Sequence, residues 1–143
     1  MGLFDFASDI GKKLFGKDDD PAEEIKKHIE EDNPGIEDLK VDFDDGVVTI
    51  SGNTDDPAAL EKTILMAGNA KGVKEVRIDG MQAPPLVETT EYYEIAPGDT
   101  LWAIASKYYG QGAKYTLLFE ANREVIKDPD KIFPGQKIRI PAV

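Results

Sequence analysis

Leu39-Lys40-Val41-Asp42-Phe43-Asp44-Asp45-Gly46-Val47-Val48-Thr49-Ile50-Ser51-Gly52 reads as two strands and the turn between them. Leu39, Val41 and Phe43 alternate with charged residues, as one half-buried face of a strand requires. Asp44-Asp45-Gly46 supplies the turn, and the β-branched run Val47–Ser51 returns to Gly52 as the partner strand. Upstream, Asp20 stands as an N-cap, Pro21 as the first helical position and Glu23 as a capping-box partner. Ala22, Ile25 and Ile29 share one face of that helix, which ends near Asn33-Pro34-Gly35; His28 lies close to the face as a partly buried helix residue. Downstream, Asp56-Pro57 opens a second helix with Leu60, Ile64 and Ala67 inward, stopped at Gly68-Asn69. Val73 to Asp79 alternates once more through Val76 and Ile78. The order is α-β-β-α-β over residues 21–79, two helices on one face of a three-stranded sheet.

Residues 80–90 have no period and carry Pro84-Pro85, which marks a semi-rigid linker. Composition changes after it: the tyrosines and the only tryptophan lie beyond residue 90. Tyr93 and Ile95 alternate in a strand. Asp99-Thr100 caps a helix bearing Leu101, Ile104, Ala105 and Tyr108, and Gly110 stops it. Tyr115, Leu118, Phe119 and Asn122 fall on a further helix, and Ile138 and Ile140 on a last strand before Pro141. Residues 91–143 therefore read β-α-α-β. At the other end, Leu3, Phe6, Ala7, Ile10 and Leu14 are spaced as a short amphipathic helical segment within residues 1–20, broken near Gly11. The fold class expected is α+β, in two small domains.

Composition narrows the function. The 143 residues carry 28 Asp and Glu against 17 Lys and Arg, a net charge of −11, which disfavours nucleic-acid backbones and anionic lipid. Without cysteine there is no disulfide, thiolate zinc site or cysteine nucleophile, and one histidine argues against a Ser/His/Asp triad. No run of 18 apolar residues suits a membrane span. Met1–Ile10 has no positive region ahead of its apolar residues, so no export signal is read and a cytoplasmic address is expected. Gly2 does not make a myristoylation motif, because Phe6 stands where Ser or Thr is needed. Asp42, Asp44, Asp45 and Gly46 do not form an EF-hand loop. Counted from Asp42, the sixth residue is Val47 rather than Gly and the twelfth is Asn53 rather than Glu. No catalytic constellation is present, and no enzyme activity is expected.

The second half resembles a LysM domain through Tyr93-Glu94-Ile95, Pro97-Gly98-Asp99-Thr100-Leu101, Tyr108-Tyr109-Gly110, Ala121-Asn122, Pro129-Asp130-Lys131-Ile132, Pro134-Gly135-Gln136 and Ile138-Arg139-Ile140-Pro141. The first half resembles a BON domain through Gly46–Gly52 and Gly72-Val73-Lys74-Glu75-Val76. BON followed by LysM behind a Met1-Gly2-Leu3-Phe4 start is similar to the bacterial potassium-binding proteins of the BON–LysM type. The residues alone leave Gly68-Asn69 open between an ordinary helix C-cap and a turn that presents main-chain oxygens. Helix C-termini hold carbonyls without intrahelical partners at the negative end of the dipole. The resemblance implies that K+ is bound by main-chain carbonyls of Ala7, Ile10, Lys12, Gly68, Ala70 and Val73, and that the ion shifts an open–closed equilibrium between the two domains.

For the LysM half the resemblance implies a groove for N-acetylglucosamine-containing glycan between Gly98, Asp99, Thr100, Leu101 and Pro129, Asp130, Lys131, Ile132. Two functions therefore compete: a cytoplasmic potassium sensor, and a cell-envelope glycan-binding module. The first leads, with K+ as the bound ion, glycan or another protein as a further partner, no nucleic acid, no membrane insertion, and a monomeric state expected.

Overall fold

The computed structural model describes Asp5, Phe6, Leu14 and residues 19–84 and 90–141. Its elements are α1 (Pro21–Glu30), β1 (Glu37–Asp44), β2 (Val47–Asn53), α2 (Pro57–Gly68), β3 (Glu75–Gln82), β4 (Glu91–Glu94), α3 (Leu101–Tyr109), a 3-10 turn (Gly112–Lys114), α4 (Tyr115–Ala121) and β5 (Lys137–Ile140). The α+β class and the two element orders agree with the sequence reading.

Local chemistry sets the boundaries. Asp20 and Asp56 each accept the backbone N–H two residues on, at 3.1 and 2.9 Å, and each precedes a proline at the first helical position. Asp45 and Gly46 both have positive φ, 48° and 80°, so Asp44 pairs directly with Val47 across a two-residue turn whose twist matches that of the strands. β2 is central, antiparallel to β1 and parallel to β3, with α2 as the crossover. Ile25, Ile29, Val48, Ile50, Leu60, Ile64 and Val76 form the first core.

Two readings change in the first half. The third strand runs from Glu75 to Gln82, not from Val73 to Asp79. Ser51, Gly52 and Asn53 of β2 pair with Gly80, Met81 and Gln82, which draws the start of the expected linker into the sheet. Residues 85–89 lie outside the described residues. The N-terminal helical segment also lies mostly outside them. Where it is described, Asp5 forms an antiparallel bridge with Glu75, and the Phe6 N–H donates to the Lys74 carbonyl at 3.0 Å. β3 is an edge strand, and Asp5 and Phe6 lie against its start in an extended pairing where a helical turn was expected.

In the second half, β4 and β5 pair antiparallel with Tyr93 opposite Ile138. Thr100 rather than Asp99 caps α3, its Oγ1 accepting the Ala103 N–H at 3.1 Å, and Gly110 ends that helix in the left-handed region at φ 76°. Ile95, Leu101, Ile104, Ala105, Leu118, Ile126, Ile138 and Ile140 make the second core.

The two cores meet along α2. This helix is buried on more than its sheet-facing side, because Glu61, Thr63, Leu65 and Gly68 are covered as well. The Glu61 carboxylate, wholly buried, pairs with the Arg139 guanidinium of β5 at 3.0 Å and accepts the Tyr92 hydroxyl at 2.6 Å. Arg139 also donates to the Ala121 carbonyl at 2.8 Å. Lys62–Glu124 and Asp32–Lys127 add ion pairs of 2.9 and 2.6 Å across the same junction. Val125 packs against both cores. The free edge of β5 is closed by two asparagine amides. Asn122, following α4, accepts the Arg139 N–H and donates to the Arg139 carbonyl, both at 2.8 Å. Asn69, following α2, does the same to Lys137, at 2.7 and 2.8 Å. An edge strand is thereby completed by a residue of the other half.

Candidate functional site

The end of α2 is built to hold its main chain in one arrangement. Asn69, Ala70 and Val73 bond back to the carbonyls of Leu65, Ala67 and Ala70 at 2.9, 3.3 and 3.2 Å. Lys74 ties the turn to the Gly46 carbonyl at 2.8 Å. The Ala70 and Val73 side chains are fully buried in the first core, which fixes the direction of their peptide planes. Among the described residues no backbone N–H donates to the Gly68 carbonyl. Gly72, at φ 102°, supplies the backbone conformation that lets the chain reverse between helix and strand.

The N-terminal segment reaches this turn. Phe6 lies on Gly68 so closely that a β-carbon there would overlap the ring. From the second half, the Lys137 ammonium donates to the Asp5 carbonyl and stands 4.4 Å from the centre of the Phe6 ring. Burial lowers the pKa of this ammonium from its ordinary value. Gly68, Ala70 and Val73 thus come together with Asp5 and Phe6. Ala7, Ile10 and Lys12 lie outside the described residues.

The donors that the described residues offer here are main-chain oxygens. Among the described residues no group of three or more His, Asp or Glu side chains converges to hold a metal. What the turn offers is neutral carbonyl oxygen at the negative end of a helix dipole. Such oxygens can replace the water shell of a large, weakly hydrated monovalent cation. Beside the turn, Asn69 and Ala70 also line a cavity of about 290 Å³ between the two halves, with His28, Val125 and Gln136 on its walls.

A second depression, of about 410 Å³, lies on the second half. Asp99, Thr100 and Leu101 form one wall and Pro129, Asp130 and Ile132 the other. Two expected residues stand apart: Gly98 forms the open turn ahead of Asp99, and Lys131 lines the cavity between the halves. The reading of single residues missed Trp102 and Tyr115, whose rings lie 5.9 Å apart at the groove. Trp102 is 56% exposed and rests on Gly112, where a β-carbon would overlap the indole. An exposed lone tryptophan beside the capped start of α3 was the available signal. Asp99 has structural work of its own. It accepts the Tyr93 hydroxyl at 2.5 Å and the Ala96 N–H at 2.8 Å, which hold its carboxyl below the usual range and, in return, push the Tyr93 hydroxyl up to about 12.

Comparison with known proteins agrees with the two-part architecture. The BON domain family matches residues 17–85 and the LysM domain family residues 93–141. The chain is 35% identical over 148 aligned residues to the "Potassium binding protein Kbp" of Escherichia coli O6:H1 strain CFT073, covering 99% of each chain. The chain belongs to that protein's BON–LysM family. An uncharacterized protein of Deinococcus radiodurans is 34% identical across 66% of this BON–LysM chain and 41% of its own length. The uncharacterized protein YqbP of Bacillus subtilis strain 168 is 35% identical across 40% of this chain. Among the described residues no helix is long and apolar enough to cross a membrane.

Proposed function

We propose that this BON–LysM protein binds potassium through main-chain oxygens of Ala7, Ile10, Lys12, Gly68, Ala70 and Val73, and that the ion favours a closed arrangement of the two domains. The end-to-end similarity to a protein named for potassium binding carries the reading. The apposition of Phe6 and Gly68 supports it, because it brings the segment leading into Ala7 to the turn that contains the other three oxygens. In this reading residues 21–79 and 91–143 are the units that close, residues 80–90 connect them, and the protein works in the cytoplasm as an ion sensor without catalytic activity.

A ligand at 100 times its dissociation constant stabilises the folded state by about 2.7 kcal/mol. For a chain of this length that corresponds to a rise of roughly 5–10 °C in melting temperature. Melting in matched chlorides of potassium, sodium, rubidium and calcium tests the reading. Potassium is expected to give the full rise and sodium much less; equal responses to the two refute it.

The groove walled by Trp102, Tyr115, Asp99 and Ile132 favours a second reading, weak binding of an N-acetylglucosamine oligomer. An aromatic face and a capped loop suit stacking and amide hydrogen bonds. Titration with chitin oligomers is expected to give weak binding that Trp102→Ala removes. Tight saturable binding would put the glycan first, and binding unaffected by Trp102→Ala would move it out of this groove.

A further inference from the structure

Lys137 belongs to β5 of the LysM domain, yet each of its polar groups meets a residue of the BON domain or of the N-terminal segment. Its N–H and carbonyl are both held by the Asn69 amide, and Asn69 lies in the chain between Gly68 and Ala70. Its ammonium donates to the Asp5 carbonyl, two residues before Ala7, and stands over Phe6, whose ring lies on Gly68. The residue as a whole is 2% exposed. A buried lysine is costly unless the charge is satisfied, and a carbonyl dipole and a ring face contribute to that here, beside the Asp5 and Glu94 carboxylates. One LysM side chain and its peptide therefore hold both segments from which the potassium ligands are drawn.

We propose that Lys137 is a positioning residue for the potassium site, holding Phe6 against Gly68. The inference rests on the potassium reading above. With its ammonium in place, the Asp5–Phe6 segment is fixed against α2, and the Phe6 ring is held on Gly68. Two effects of opposite sign are in play. An ammonium near a cation site repels the ion, so its removal would tighten binding if charge dominated. A positioning role predicts weaker binding on removal.

The experiment is calorimetric titration of the full chain with potassium chloride at 25 °C and constant ionic strength. It compares the unsubstituted protein with Lys137→Met, which keeps the apolar stem, with Phe6→Leu, and with the double variant. Titration of the unsubstituted protein decides the potassium reading by itself. Given that binding, Lys137→Met is expected to raise the dissociation constant threefold or more. Phe6→Leu is expected to do likewise, and the double variant no more than either alone, since both changes release the same segment. A merely structural role would lower the melting temperature in potassium-free buffer while leaving the dissociation constant in place. A change below threefold, tighter binding, or additive effects of the two substitutions overturns the proposal. Should Lys137→Met not fold, an unchanged dissociation constant in Phe6→Leu overturns it and a threefold rise supports it.

Discussion

Arg139→Met is expected to destabilise the protein by about 3–5 kcal/mol, the usual cost of leaving one partner of a buried ion pair alone. Glu61 has no exposed surface, and its two partners are the Arg139 guanidinium at 3.0 Å and the Tyr92 hydroxyl at 2.6 Å. Without the guanidinium, its carboxylate keeps one neutral donor in a site water does not reach. The Ala121 carbonyl also loses its donor. Equilibrium urea denaturation measures the loss, and a change below about 1 kcal/mol would show that the pair is not buried in solution. Replacing both partners, with Glu61→Leu and Arg139→Met together, is expected to recover most of the loss, because an apolar pair of similar volume carries no desolvation penalty. The pH dependence has a definite sign. Burial, with Glu61 next in weight, holds the Tyr92 hydroxyl above its ordinary value of 10. Its contribution is therefore complete below pH 10 and is lost as the pH rises beyond that value.

Gly68→Val is expected to abolish the response to potassium, the whole of the roughly 2.7 kcal/mol that a hundredfold excess over the dissociation constant supplies. Gly68 lies at the end of α2 with ordinary helical geometry, so the objection to a side chain is spatial rather than conformational. A β-carbon overlaps the Phe6 ring, and the ring is the face on which the Lys137 ammonium rests. Valine must displace Phe6, and with it the start of the segment that leads to Ala7. Relief of such overpacking costs about 1–3 kcal/mol of folding stability, little enough for the domain to remain folded. Melting in potassium and in sodium separates the two effects: both curves shift down, and the gap between them closes. A folded Gly68→Val protein that keeps the full potassium gap would place the ion elsewhere.

Much of this architecture is written in local chemistry. Asp45-Gly46 specifies a turn, Asp20-Pro21 and Asp56-Pro57 specify helix starts, and period-two alternation specifies Val41, Phe43 and Val76 as strand residues. What the residues do not declare is the second buried face of α2. Nothing within the helix that carries Glu61 shows that Arg139, 78 residues away, will meet it. Asn69 and Asn122 read as a helix cap and a helix residue, whereas each closes an edge of β5 through both amide atoms. Those roles depend on a tertiary neighbour. The end of β3 is illegible for the same reason: Gly80, Met81 and Gln82 carry no strand pattern and are held by pairing with Ser51, Gly52 and Asn53. The proposed ion site has the weakest signature, since every peptide has a carbonyl. The close packing at Gly68 shows only once Phe6 is seen upon it, and the family resemblance, rather than any side chain, points to Ala70 and Val73. The groove of the LysM half is more legible, because capping and turn residues such as Thr100 and Pro129 have fixed uses, though the same rules leave Trp102 unremarked and do not show that Lys131 lines the cavity between the halves.

The most direct measurement is calorimetric titration of the intact protein with potassium chloride, and separately with sodium chloride, at one ionic strength and pH. The account predicts a saturable potassium isotherm with one ion per chain, and sodium heats that do not saturate over the same range. Absence of a potassium isotherm, or isotherms of equal midpoint for the two ions, would contradict it.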